Sequence, residues 1–421
     1  MTTPNVLDEL EWRGLVAHST DRDALRAALG EGSVKFYVGF DPTAPSLHMG
    51  NLVQLVTARR LQDAGHTPYI LVGGATGMIG DPRDSGERTL NSLDTVKEWT
   101  ERVRQQVSRF VTFEGPNAAT TVNNYDWTAS LSTIDFLRDI GKHFPVNRML
   151  ARDTVKRRLE SGISYTEFSY VLLQSMDYLN LFREHGVALQ FGGSDQWGNI
   201  TGGADLVRRV TGESVFAFAT PLVTKADGTK YGKTEGGALW LDPAMMSPYA
   251  FHQFWLNVED EKVGELLRIF TFLTRDEIED LEQQTAEKPF LRAGQKRLAD
   301  EVTALVHGEH EVEQAKAAAA ALFGGGDLSS IKPETLASAL REAGGTTIPA
   351  GELPGIVDLL VAAGLVKSKG DARRTVAEGG AYLNNVRVED PDHRPTADDL
   401  VAGSWLVLRR GKKSFAGVEV G

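Results

Sequence analysis

Among the 421 residues there is no cysteine. Disulfides, thiolate zinc sites and cysteine nucleophiles are thereby excluded, and any metal must sit on oxygen or imidazole, which favours magnesium. Long apolar runs are missing as well. No stretch approaches the roughly 18 to 20 residues that a membrane span needs, and the amino terminus, MTTPNVLDELEWRG, is acidic and polar rather than a signal sequence. The chain is expected to stay in the cytoplasm, without a membrane partner. A surplus of positive charge is also lacking: 45 Lys and Arg stand against 57 Asp and Glu, for a net charge of −12. That balance argues against a protein that coats nucleic acid, DNA included, without discrimination. The acidity is uneven, however. Residues 354–421 hold ten Lys and Arg against nine Asp and Glu, which leaves a local RNA contact open there.

What is present is an ordinary globular composition, 41% hydrophobic and 24% charged, in a chain long enough for about two or three domains. The first third alternates strand-like and helix-like runs: SVKFYVGFDPT, HMGNLVQLVTARRLQDAGH, TPYILVGGATGMIGDP. This order predicts an α/β domain with a Rossmann-like parallel sheet over residues 1–246, a fold that binds ligands at the carboxyl ends of its strands. The pattern from about 93 to 162 is mostly helical and reads as a helical hairpin insertion. Residues 247–323 are helical throughout and are expected to form a separate α-helical domain; 324–352, rich in Gly, Ser and Thr, reads as a linker with partial order. Residues 353–421 read as a small α+β module with two short helices followed by strand-like AYLNNVRV and SWLVLRRG.

Two glycine-rich segments are poor matches to familiar nucleotide motifs. GGATGMIGDP spaces its glycines as G-x-x-G-x-x-G, so no G-x-G-x-x-G passes through it; GTKYGKT has three residues between glycines where a P-loop needs four. PTAPSLHMGN, in the first β-α turn, is more informative. His48 at a helix start, beside Gly50, places an imidazole and a positive helix end where a phosphate could sit, although a histidine that merely caps the helix accounts for the same pattern. Far along the chain, Lys230 and Lys233 lie on a Gly-flanked loop and suit neutralisation of a polyphosphate.

HMGN resembles the HIGH motif and KYGKT the KMSKS motif of class I aminoacyl-tRNA synthetases. With FDPTAPSLHMGN, GGATGMIGDP, FGGSDQWGNITGG and LVTKADGTKYGKTEGG, the likeness narrows to the bacterial tyrosyl-tRNA synthetase family and covers almost the whole chain. Two departures are visible, Met49-Gly50-Asn51 in the first motif and Tyr231 with Thr234 in the second; neither removes a chemical group the family is thought to need. The resemblance implies that Tyr37 and Asp177 bond the phenolic hydroxyl of tyrosine, while Asp81, Tyr170 and Gln174 surround its ammonium, with Gln190 and Gln196 also in the tyrosine site. It further implies that Gly39, Asp41, Gly193 and Asp195 line the nucleotide. Thr43 and His48, with Gly50, Asn51, Lys230, Lys233 and Thr234, would hold the phosphates, and Thr43, His48, Lys230 and Lys233 would be the catalytic groups. Independently, Tyr170, Gln174 and Asp177 are spaced i, i+4, i+7 and share one helix face. The implied substrates are tyrosine, ATP with Mg²⁺ and tRNA(Tyr), with no organic cofactor and no zinc, in a homodimer.

The carboxy-terminal module resembles the αL RNA-binding motif, which implies an RNA contact through Lys367, Lys369, Arg373 and Arg374 at a helix start and Arg409, Arg410, Lys412 and Lys413 in a second cluster; solvated surface charge is the plainer alternative. Two rival readings stand beside the ligase: a tryptophan-specific relative, against which Tyr37 with Asp177 and the tail module argue, and a non-catalytic RNA-binding protein that kept the fold, against which the intact phosphate-contacting groups argue.

Overall fold

The computed structural model describes residues 5–82, 86, 91–229, 231, 238–324, 326–411 and 414–421. Lys230, Lys233, Thr234, Lys412 and Lys413 therefore lie outside the described residues. The chain divides into two compact units, Met1–Asp242 with Glu259–Glu287, and Pro243–Val258 with Lys288–Gly421.

The first unit is built on a six-stranded sheet of β1 (His18–Ser19), β2 (Lys35–Phe40), β3 (Thr67–Val72), β4 (Thr120–Asn123), β5 (Leu189–Gly193) and β6 (Phe216–Thr220), in the order β1-β6-β5-β2-β3-β4. All pairs are parallel except β1 with β6. The central strands are apolar on both faces, as helix-covered parallel strands must be: Phe36, Tyr37, Val38, Ile70, Leu71, Val72, Leu189 and Phe191 are all buried. Chain order reverses between β2 and β5, where Tyr37 pairs with Gln190. That reversal opens a crevice at the carboxyl ends of these two strands.

Four helices position the site. α1 (Met49–Asp63) follows β2; α2 (Leu93–Val107) opens the insertion; α3 (Tyr165–His185) and α4 (Trp197–Thr211) bracket β5. Ser164 caps α3 by accepting from the Glu167 amide, and Gly186, at φ +68°, ends it in the left-handed conformation. The segment expected to be a helical hairpin also contains β4, whose Thr-Thr-Val pairs in register with Tyr69, Ile70 and Leu71 at the sheet edge. Three residues of strand propensity among helices leave too short a periodic signal to read.

The helices Asp260–Phe270 and Arg275–Glu287, read from periodicity as part of a separate helical domain, fall in the first unit. Two buried arginines tie them there. Arg13 donates to the carbonyls of Arg268, Thr271 and Leu273, and Arg60, near the end of α1, donates to that of Ile269. These contacts satisfy carbonyls at the end of Asp260–Phe270 that no helical amide reaches. Burial, with Arg13 nearby, lowers the Arg60 pKa to about 9.

In the second unit a five-stranded sheet, β7 (Thr346–Ile348), β8 (Ala381–Leu383), β9 (Val386–Arg387), β10 (Trp405–Arg410) and β11 (Ser414–Val420), runs in the order β7-β11-β10-β8-β9. β10 is buried on both faces. Leu406 and Leu408 meet Ile356, Leu359, Leu360 and Ala372, whereas Trp405 and Val407 meet Tyr249, Ala315, Ala318, Leu336 and Leu340. The segment read as a partly ordered linker thus supplies the helix Pro333–Glu342, whose Leu336, Ala339 and Leu340 belong to this core, and β7, which pairs in parallel with β11.

Candidate active site

The end of the site at which phosphate is expected begins at His48. Its Nδ1 accepts from the Gly50 amide at 3.0 Å and its own amide donates to Asn51 Oδ1 at 3.0 Å, a reciprocal cap on α1. The two expectations for this histidine are therefore compatible. Because Nδ1 accepts, the neutral ring carries its proton on Nε2, and the free N–H is a donor. The ring edge is exposed, yet the surrounding protein desolvates the imidazole and lowers its pKa, which favours the neutral form. Gly50 is required by the cap: a Cβ there would lie 2.9 Å from His48 Cε1. Thr43 follows in the same turn, its amide on the Asp41 carbonyl at 2.8 Å.

Asp41, at the mouth of β2, accepts from Thr76 Oγ1 at 2.6 Å and from the Tyr170 hydroxyl at 2.7 Å. Gly73 makes room for that carboxylate, since a Cβ on it would come within 2.0 Å of Asp41 Oδ1. From Thr76 the network runs through Asn124, which donates to Thr76 Oγ1 at 2.9 Å and to Asp177 Oδ2 at 3.0 Å; Trp127 Nε1 donates to Asp177 Oδ1 at 2.9 Å. Asp177 is almost fully buried. Burial raises its pKa to about 7, against the opposing pull of those two donors, and the Asp41 charge adds to the rise.

Beside it, the Tyr37 hydroxyl is buried without a hydrogen-bond partner, as are Gln174 Oε1 and Gln190 Oε1. Burial, then the Asp177 charge, pushes the Tyr37 pKa well up, so its hydroxyl keeps its proton. Leaving such groups unmade destabilises a fold by about 1–3 kcal/mol each. Their concentration around α3 marks a place where a bound polar group would supply the missing partners.

At the other end Asp81 accepts from Gln196 Nε2 at 2.9 Å and from Asn199 Nδ2 at 3.0 Å. Gly193 ends β5 and Asp195 follows it in the next turn, and Gly39 lies on exposed backbone of β2 with only an ordinary contact, 3.5 Å, behind it. The structure therefore brings Tyr37, Asp41, Tyr170 and Asp177 together, and Asp81 with Gln196. It adds Thr76, Asn124, Trp127 and Asn199, to which the sequence reading gave no role. Among the described residues no three His, Asp or Glu side chains gather to hold a metal ion. A separate cleft of about 480 Å³ is lined by His143, Arg148, Arg152, Asp205, Arg208 and Arg209 among others, and shares none of the tyrosine-site residues.

Three basic residues of the carboxy-terminal module are exposed and ion-paired: Lys369 with Asp358 at 2.6 Å, Arg373 with Asp392 at 3.1 Å and Arg374 with Asp371. Arg409 lies over the Tyr382 ring at 4.3 Å, and Arg410 donates to the Leu365 carbonyl.

A nucleotide-fold crevice with a neutral imidazole on a helix start is what a class I aminoacyl-tRNA synthetase presents, and the chain belongs to that class: residues 30–324 match the family of class I tRNA synthetases for tryptophan and tyrosine. Within it, the chain belongs to the tyrosine–tRNA ligases. It is 60% identical over 420 residues to the tyrosine–tRNA ligase of Streptomyces griseus, covering 99% of each chain, and 58% identical to that of Cutibacterium acnes, covering 97% and 98%. Residues 338–418 match the SYY-like C-terminal domain of tyrosine–tRNA ligases. A C-terminally truncated mitochondrial tyrosyl-tRNA synthetase from Aspergillus nidulans superimposes with a TM-score of 0.67 at 31% identity, over 74% of this chain and 92% of that one.

Proposed function

We propose that the buried pair of Tyr37 and Asp177 reads the tyrosine hydroxyl, that Asp81, Tyr170 and Gln174 hold its ammonium, and that Gly39, Asp41, Gly193 and Asp195 receive the nucleotide between them. The carrying observation is the unpartnered Tyr37 hydroxyl beside the buried Asp177 carboxylate. Together they offer one donor and one acceptor to a phenol; phenylalanine would leave the Tyr37 hydroxyl unmet and would give the buried Asp177 carboxylate no bond. Discrimination of this form is already known for tyrosyl-tRNA synthetases as a group, so its size is no independent prediction.

A tyrosine carboxylate oxygen attacks the α-phosphorus; a new P–O bond forms as the bond to the β-phosphate bridge breaks, and pyrophosphate leaves. The attacking carboxylate is already ionised at neutral pH, so no protein base is needed. His48 donates through Nε2 and, with Thr43, Gly50, Asn51, Lys230, Lys233 and Thr234, stabilises charge that grows in the transition state. Bound magnesium would be held mostly by oxygens of the substrate phosphates and would neutralise part of their charge. In the second reaction a ribose hydroxyl of tRNA(Tyr) attacks the tyrosyl carbonyl and AMP leaves. Lys367, Lys369, Arg373, Arg374, Arg409, Arg410, Lys412 and Lys413 contact the RNA backbone in this reading.

Exposed Ile134, Leu137, Val146, Leu150, Leu159 and Tyr165, gathered within the insertion and at the start of α3, support pairing with a second copy of the chain. No helix among the described residues is long and apolar enough to cross a membrane, and the cytoplasm is the proposed place of action. The test is pyrophosphate exchange driven by each standard amino acid, on the wild type and on His48→Ala. Tyrosine alone should drive it, and the variant should lose kcat about 10²-fold with tyrosine affinity kept. Exchange driven best by tryptophan would reject the reading.

A further inference from the structure

Asn199 is buried, yet every polar atom of its side chain is engaged. Nδ2 donates twice, to Asp81 Oδ1 at 3.0 Å and to Gln196 Oε1 at 2.9 Å, and Oδ1 accepts from Arg152 Nη2. Gln196 closes the ring by donating to Asp81 Oδ2 at 2.9 Å. Both oxygens of Asp81 are thus gripped by neutral amides, which set the plane of the carboxylate without discharging it.

The orientation of the Asn199 amide is itself determined. Turned over, it would present its carbonyl to the Asp81 carboxylate and its NH₂ to a guanidinium, acceptor facing acceptor and donor facing donor. Arg152 therefore selects the rotamer that serves Asp81. The guanidinium reaches this position across Gly198, where a Cβ would stand 2.9 Å from Arg152 Nη2. Burial lowers the pKa of Arg152, and the Asp81 charge opposes that and helps to keep it protonated. Arg152 comes from the insertion and Asn199 from α4, 47 residues apart.

We propose that Asn199, oriented by Arg152, is a positioning residue for recognition of the substrate ammonium: it aims the Asp81 carboxylate and the Gln196 amide at the α-amino group and has no part in reading the phenol. This rests on the assignment of Asp81 to the ammonium. Preorganisation of this kind acts on affinity through the one substrate group that the carboxylate meets, so its loss should depend on whether that group is present.

The experiment measures equilibrium binding of L-tyrosine and of 3-(4-hydroxyphenyl)propanoate, which lacks the ammonium, to the full-length protein and to Asp81→Ala, Asn199→Ala, Arg152→Met and Arg152→Lys. Asn199→Ala should weaken tyrosine binding roughly 10-fold and leave the amine-free ligand within about twofold, the scale expected when hydrogen bonds to a charged group are removed. Arg152→Met should show the same selectivity at roughly 3- to 10-fold, and Arg152→Lys, which still donates, should restore most of it. Equal weakening of both ligands, or of neither, would overturn the proposal. If Asp81→Ala is selective and Asn199→Ala is not, positioning alone fails; if Asp81→Ala is not selective, the ammonium assignment fails first. Should Asn199→Ala not fold, the two Arg152 variants decide the matter by the same criterion.

Discussion

The residues assigned to the small substrate in the first unit and those assigned to RNA in the second are set in different surroundings. In the first, Tyr37, Gln174 and Gln190 keep buried atoms without partners around a carboxylate whose pKa is lifted to about 7. In the second, Lys367, Lys369, Arg373, Arg374 and Arg410 are exposed, and Lys369, Arg373 and Arg374 are each already matched to a carboxylate. The difference follows from the ligand. A small molecule that must be told from a close analogue is met by groups that are costly to leave unmet, whereas a polyanion is met by many weakly held cations whose pairing with surface carboxylates is worth little in water. On the proposed assignments, selectivity resides in the buried site of the first unit and salt dependence in the exposed basic residues of the second.

The sharpest way to break this contrast is Asp177→Ala. Tyrosine kcat/KM should fall about 10²- to 10³-fold and phenylalanine use by far less, as expected when a buried charged acceptor is removed. Paired kinetics with the two amino acids check it, and equal losses would make Asp177 structural.

Next in size is Trp405→Ala, which should destabilise the second unit by about 3–5 kcal/mol, the range for deleting a buried aromatic side chain. Urea unfolding followed by far-UV circular dichroism measures it, while tyrosine-dependent pyrophosphate exchange at low denaturant should persist. The same packing bears on truncation. Ending the chain near residue 351 strips β10 and β11 from Leu336, Ala339 and Leu340, so the helices left behind lose part of their core. Such a cut leaves only the first unit with all of its residues.

A pH titration comes third. With its pKa raised to about 7, Asp177 loses its charge as the pH falls below neutrality, so tyrosine kcat/KM should drop by up to about tenfold per pH unit there. Asp177→Asn should flatten that limb. The linked stability effect has the opposite direction: the folded state holds this proton more tightly than the unfolded chain, so the group favours folding at low pH, and that contribution is lost as the pH rises from the unfolded value near 4 through about 7.

The smallest effect at low salt should come from replacing Lys367, Arg373 and Arg374 together by alanine. The slope of log Kd for tRNA against log salt should flatten by roughly 0.7 to 0.9 for each phosphate no longer neutralised, measured by filter binding across ionic strengths. Pyrophosphate exchange should not change. An unchanged slope would place the RNA contact elsewhere in the chain.

Much of this was legible in the residues alone. Alternating apolar runs were enough for β2, β3 and β5, because a parallel strand buried on both faces is continuous in sequence, and the i, i+4, i+7 spacing already put Tyr170, Gln174 and Asp177 on one face of α3. HMGN was enough to mark a helix start with an imidazole on it. Asn124, Trp127 and Asn199 could not be found in this way. Their partners Asp177 and Asp81 lie 50 or more residues away, and a hydrogen bond made across the fold leaves no local period. Nor could the helix Asp260–Phe270 be assigned to the first unit from its pattern, since any amphipathic helix has the same one; the arginines that cap its end, Arg13 and Arg60, come from far upstream. What the sequence by itself determined is the set of elements and the chemical groups at their ends, since local periodicity and capping are written in neighbouring residues. Only the tertiary structure decided which of those groups share a buried space, because burial, and with it the pKa of Asp177 and the unmet hydroxyl of Tyr37, depends on what distant segments bring around them.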